Sequence, residues 1–124
     1  MTLNRILIVA IAMIAALVAR AHHSFAVEFL EDQTDTIEGT VTEVWFKNPH
    51  VRYYIQAQTE DGEIVNWDVR GASPTSLIRR GWTPRTIQEG DRITVHGHLG
   101  RDGRKLLSII WIELAGGTKL SEDY

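Results

Sequence analysis

Along residues 36–46 the apolar side chains Ile37, Val41, Val44, Trp45 and Phe46 are interleaved with Glu38, Thr40, Thr42 and Glu43. This is a mostly period-two pattern rich in β-formers. The alternation slips near Val44, which predicts a bulge or sharp bend in a long first strand. Asn48-Pro49 is a turn signal. Residues 50–58 then resume the alternation, with Val51, Tyr53, Ile55 and Ala57 on one face and His50, Arg52, Tyr54 and Gln56 on the other. Asp61-Gly62 closes a hairpin into a third strand over 63–69. It turns Val65, Trp67 and Val69 inward and Ile64, Asn66, Asp68 and Arg70 outward.

After Gly71 the pattern changes. Ser73 reads as an N-cap, Pro74 as the first helical residue, Leu77 and Ile78 as the apolar stripe and Gly81 as the stop, which predicts one short helix. Thr83-Pro84 predicts a further helical turn before Glu89-Gly90-Asp91 leads into a fourth strand over 92–99. Asp102-Gly103 makes a second hairpin. The fifth strand, 105–114, is apolar at nearly every position except Ser108 and Glu113, so periodicity does not decide its inner face. From Gly116 the chain reads as a loose tail. Three strands, a helix and two strands is the order of a five-stranded OB-like Greek-key barrel, an all-β fold with one short helix. An open sandwich would need about seven strands and gives no reason for a capped helix in their midst.

Ahead of this domain, residues 1–21 have an Arg-bearing start, an unbroken apolar run from Ile6 to Ala19 and an Ala19-Arg20-Ala21 end. The run is shorter than the ~20 residues a spanning helix needs. It reads as a signal peptide cut after Ala21, so the membrane is met only during export and the mature protein is periplasmic or secreted. The remainder divides into an N-terminal segment over 22–35, the OB-like domain over 36–115 and the tail over 116–124.

The sequence has 13 Lys and Arg against 16 Asp and Glu, a formal charge of −3 over 124 residues. Removing Arg5 and Arg20 with the leader makes it more negative still, which disfavours a nucleic-acid partner. It has no cysteine, which excludes disulfides, thiolate zinc sites, iron–sulfur clusters and thiol redox chemistry, and leaves nitrogen and oxygen donors for any metal.

In its pieces the chain resembles a family of small exported bacterial proteins of unknown function. Ala21-His22-His23-Ser24-Phe25 and Asn48-Pro49-His50-Val51 carry the resemblance, with Asn66-Trp67, Ser73-Pro74, Leu77, Arg80-Gly81-Trp82 and Gly90-Asp91. What it implies is a single exported OB-like domain, with no substrate or reaction attached.

The candidate chemistry lies in two sets. His22, once first in the mature chain, offers its amine and ring nitrogen to one metal ion. His23, His50, His96 and His98 offer further imidazoles, a nitrogen-rich set that favours copper(II). A cut after Ala19 would place His22 third, where amine, amides and imidazole form a square-planar copper(II) or nickel(II) site. The plainer alternative makes His22 and His23 a polar spacer, His96 and His98 a solvated strand face, and His50 a hydrogen-bonding residue at a strand entrance. The second set is the outer face of strands two and three, Arg52, Tyr54, Gln56, Asn66, Asp68 and Arg70. It suits a small polar ligand or a protein partner, or else forms cross-strand ion pairs. No serine sits in a nucleophile elbow, and no carboxylate pair or phosphate loop stands out, so the expectation is a non-catalytic binding protein. Arg79-Arg80 reads as a favourable charge at a helix C-terminus and Trp82 as core.

Overall fold

The computed structural model describes residues 3–122, with the side chains of all of these except 12–24. In chain order the elements are α1 (Leu3–Glu28), β1 (Phe29–Trp45), β2 (Arg52–Gln58), β3 (Ile64–Arg70), α2 (Pro74–Arg79), β4 (Arg92–Gly100), β5 (Leu106–Leu114) and β6 (Lys119–Ser121).

The barrel is wound on β1, whose 17 residues serve two neighbours. Its first part pairs antiparallel with β4, from Phe29 opposite Gly100 to Thr40 opposite Arg92. Its second part pairs with β2, from Gly39 opposite Ala57 to Trp45 opposite Arg52. To pass from one sheet to the other the strand must coil, and two local features allow it. At Gly39 a Cβ would lie 2.4 Å from the Gln56 carbonyl oxygen, so only glycine permits that approach. Between Val41 and Glu43 the register shifts by one residue, the bulge that the slip in alternation predicts. The loop before β4 clamps this point, Val41 N–H donating to Asp91 O and Gly90 N–H to Val41 O, each at 2.8 Å.

β2 and β3 form the expected hairpin, β4 pairs with β5, and Leu106–Ser108 run parallel to Asp68–Arg70 to close a ring of five strands. The fold is therefore the OB-like barrel, with its helix between β3 and β4. The predicted inner faces hold: Val51, Tyr53, Ile55, Trp67, Val69 and Val95 are buried together with Ile37, Val41, Leu77, Trp82, Ile87, Ile93, Leu107, Ile109 and Ile112. In β5 a further irregularity skips Ile110 in the pairing with β4. The side chains there change phase, which is why no single period describes this strand.

α2 starts as its sequence demands, Ser73 Oγ accepting from Ser76 N–H at 3.2 Å with Pro74 in the first turn. It ends in a Schellman arrangement, Trp82 N–H to Leu77 O at 3.0 Å and Gly81 N–H to Ile78 O at 3.0 Å, with Gly81 at φ 89°. This brings the buried Trp82 over the buried Leu77. Ile78, expected beside Leu77 in the apolar stripe, is 54% exposed, because so short a helix turns only one residue to the core. The helical turn expected at Thr83-Pro84 is instead a hydrogen-bonded turn, Thr86 N–H to Thr83 O and Thr83 N–H to Thr86 Oγ1, ahead of the buried Ile87.

Two expectations at the ends are corrected. β1 begins at Phe29, not 36: Phe29 pairs with Gly100 and Thr34 with His98 across an irregularity, and the mostly polar residues between offer no alternation to read. The tail is not loose: Gly117, at φ 87°, turns the chain so that β6 pairs with Trp111–Glu113 of β5. Trp111 is then covered on both sides, stacked on His96 with centroids 5.3 Å apart and capped by Lys119 Nζ at 3.9 Å. The apolar excess of β5 thus serves a sixth strand of the same chain. The expected leader falls on α1, whose described residues Leu3, Ile6, Leu7, Ile8, Val9 and Ile11 are exposed. Among the described residues no helix is long and apolar enough to cross a membrane.

Candidate functional site

The end of α1 and the start of β1 lie against the seam where β3 meets β5. Phe25 stacks on Phe29 with ring centroids 5.0 Å apart and meets His98 edge-on at 5.5 Å. Glu28 forms an ion pair with Arg70, whose guanidinium also lies 5.7 Å from the Phe29 ring. The Glu28 carbonyl accepts from Arg101 N–H at 2.9 Å, which ties this junction to the β4–β5 turn.

Below the junction is a cavity of about 380 Å³ lined by Phe25, Glu28, Phe29, His50, Arg70, Gly71, Ala72, Ser108 and Glu122. The loop between β1 and β2 reaches it because Val51 N–H donates to Ala72 O at 3.0 Å and Gly71 N–H to Val51 O at 2.8 Å. His50 Nδ1 lies 3.2 Å from the Gly71 carbonyl oxygen. A carbonyl only accepts, so Nδ1 is the donor, and Nε2 is the nitrogen left clear of this contact. His50 also lines a neighbouring pocket of about 300 Å³ with Trp45, Asn48, Pro49, Arg52 and Tyr54, at a cis Asn48–Pro49 bond. Trp45 is 42% exposed there, with Lys47 Nζ 4.4 Å from its ring centre.

The two predicted sets fare differently. The side chains of His22 and His23 lie outside the described residues. His96 is engaged, its Nδ1 2.8 Å from Thr36 Oγ1 and its ring on Trp111. His98, two residues along β4, has a buried Nδ1 without a hydrogen-bond partner among the described residues. No group of three His, Asp or Glu able to hold a metal exists among the described residues. On the outer face of β2 and β3, Arg52 pairs with Asp68 at 3.2 Å and Arg70 approaches the same Asp68 oxygen at 3.6 Å. Hydrogen bonding to Tyr54 and the nearby Asp68 charge hold the Arg52 guanidinium above its ordinary value against the cost of burial. Gln56 and Asn66 face each other, exposed, farther along the hairpin.

Several residues at this seam escape a reading of the sequence alone. Phe25 closes the motif Ala21-His22-His23-Ser24-Phe25, but nothing there says what it touches. Glu122 sits in a polar tail with no pattern. Tyr53 did carry a signal, since a tyrosine on the inward face brings a hydroxyl that needs a partner.

Among solved structures, the chain is similar to two crystal forms of Rim1, the mitochondrial single-stranded DNA binding protein of S. cerevisiae. One has a TM-score of 0.52 at 15% identity, covering 69% of this chain and 96% of that one. The other has a TM-score of 0.52 at 14% identity, covering 67% and 92%. A TiaS–tRNA–ATP complex matches with a TM-score of 0.48 at 20% identity over 66% of this chain and 18% of that one. At such identity the likeness to Rim1 is one of fold. No curated protein matches the chain. The pieces that meet at the seam, Phe25 from one motif and His50 from the other, both fall within residues 10–107, over which the chain matches a family of unknown function (DUF6152), and to that family it belongs.

Proposed function

We propose that this protein is a non-catalytic binding protein of the periplasm or exterior whose ligand is a metal ion, copper(II) by preference, held where the processed N-terminus meets the barrel. The observation that supports this most is His98, whose Nδ1 is buried and unpartnered while its ring touches Phe25. Phe25 is three residues from His22, a chain distance of at most about 11 Å. Cleavage after Ala21 would therefore release an amine and an imidazole within reach of a third nitrogen that has no other partner among the described residues. His50 borders the cavity that Phe25 lines and keeps Nε2 free of its carbonyl contact. A histidine whose other ring nitrogen donates to a backbone carbonyl is oriented as metal-bound histidines commonly are. His96, occupied by Thr36 and Trp111, is the less suited of the β4 pair.

Titration of the protein beginning at His22 with copper(II) is expected to fill one tight site. Occupancy falls on acidification, because the amine and imidazoles must lose protons to bind. An extra residue ahead of His22, or His22→Ala, removes the site, and His98→Ala weakens it at least tenfold while His96→Ala does not. Equal binding by blocked and unblocked chains overturns the terminal site.

A second reading, a metal-free module for a protein or small polar ligand on β2 and β3, has in its favour the pocket rimmed by Trp45, Arg52 and Tyr54. It becomes the better one if no metal binds. A nucleic-acid ligand is disfavoured on the same surface. Single-strand binding draws on several stacking rings along a positive groove, whereas here Arg52 and Arg70 are matched by Asp68 and Glu28.

A further inference from the structure

The tail does more than extend the sheet. Glu122 N–H donates to the Ile110 carbonyl at 2.9 Å, at the irregularity in β5, and Arg80 donates to the Glu122 carbonyl. These contacts swing the Glu122 side chain into the seam cavity, where both carboxylate oxygens accept from Ala72 N–H, at 3.1 and 3.2 Å. Beside them stands Gly71, whose φ is not in the left-handed region, so its backbone does not call for glycine. A Cβ at Gly71 would lie 2.6 Å from Glu122 Oε1, so glycine lets the carboxylate rest against the backbone where a side chain would push it aside. The space is shaped to admit a carboxylate against the backbone.

Two buried donors near this carboxylate lack partners among the described residues, the Tyr53 hydroxyl and Arg70 Nε. Tyr53 is fully buried, and its phenol is pushed above the usual range by burial and by the Glu122 charge. The rest of the lining is mixed: the stacked Phe25 and Phe29 form an apolar side, and Glu28, His50 and Ser108 a polar one.

We infer that the seam cavity is a binding site for a small monocarboxylic acid with an apolar body, and that Glu122 is its built-in occupant. The acid's carboxylate takes the Glu122 position on Ala72 N–H when the tail lifts, and its body lies against Phe25 and Phe29. A ligand reaching deeper than Glu122 also satisfies Tyr53 and Arg70. The site does not depend on the metal reading, since its donors are a backbone amide, a phenol and a guanidinium.

The test uses benzoate and acetate as probes, with chelator present so that metal plays no part, and follows the Gly71 and Ala72 amide resonances. Glu122→Ala is expected to bind benzoate saturably and at least tenfold more tightly than the unaltered protein, with acetate weaker than benzoate. In the Glu122→Ala background, Gly71→Ala is expected to abolish binding, and Tyr53→Phe to weaken it severalfold with the fold intact. The Tyr53 variant keeps the test decisive should Gly71→Ala fail to fold. If Glu122→Ala only lowers the melting temperature and its amides do not move with benzoate, Glu122 is a latch for the tail and the proposed site is overturned. Binding unaffected by Tyr53→Phe and by Gly71→Ala overturns it equally.

Discussion

Tyr53 sits at the centre of the barrel with every atom out of water and a hydroxyl that meets no partner among the described residues. Such a group costs about what its desolvation costs. Replacing it with Phe is therefore expected to leave stability near neutral pH unchanged within about 1 kcal/mol, or to raise it. The pH dependence separates this residue from the rest. Burial raises the folded-state phenol above its ordinary 10.0, so above that value the unfolded chain loses the proton while the folded chain keeps it. The unfolded state is then favoured, and Tyr53 should remove about 1.4 kcal/mol of stability per pH unit as the solution is made more alkaline. Denaturation followed from pH 8 upward should show the unaltered protein falling away from Tyr53→Phe, with the gap opening near pH 10. Parallel curves would mean that the folded-state phenol titrates at its ordinary value, with water or a hydrogen-bond donor stabilising the phenolate. That Tyr53 points inward was legible from its alternation with Val51 and Ile55. That its hydroxyl lies in the field of Glu122 was not, because the two are distant in sequence and Glu122 is placed by tertiary contacts of the tail, among them its N–H on Ile110 O and Arg80 on its carbonyl.

The strands owe their boundaries to two kinds of cause, and only one of them is written in side-chain hydrophobicity. β2, β3 and β4 alternate because one face is buried, so their positions and inner residues could be read directly, as could the Ser73 cap and the Gly81 stop of α2. The start of β1 and the whole of β6 are short paired segments with a single apolar anchor each, Phe29 and Leu120, which is too little for a periodic trace. The winding of the barrel depends on a third kind of cause, close approach of main chains. At Gly39 a Cβ would lie 2.4 Å from Gln56 O, and at Gly97 2.3 Å from Ser108 O, in each case against backbone of a paired strand. Neither glycine has a positive φ, so the strain on substitution is purely one of packing. Gly39→Ala and Gly97→Ala are each expected to lower stability by roughly 1–3 kcal/mol or more, as overpacking does. Gly116→Ala, which would meet nothing within 4 Å, should stay within about 0.5 kcal/mol. Denaturant midpoints of the three variants check this, and equal midpoints would show that β1 and β5 can slide to make room.

For the whole molecule, the question is where the folded unit begins. The buried core among the described residues starts at Phe29, and the side chains from Leu3 to Ile11 are exposed, so the first turns of α1 add little to the barrel's stability. The last turn of α1 is different. Phe25 stacks on Phe29 and touches His98, and Glu28 is the ion-pair partner of Arg70, whose side chain is only 13% exposed. Removing residues 22–28 would leave that guanidinium with Asp68 alone and open the seam cavity to water. An aromatic pair contributes about 0.5–1.5 kcal/mol, and an ion pair with one partly buried member adds a fraction of that after solvent screening. A chain beginning at Phe29 is thus expected to unfold about 1–2 kcal/mol more easily than one beginning at His22. Both should unfold in a single transition, since each keeps all five strands of the ring. Chemical denaturation of the two chains side by side gives the comparison. Identical midpoints would reduce the Phe25 and Glu28 contacts to decoration on the barrel, whereas two transitions in the longer chain would make the segment before Phe29 a separate unit.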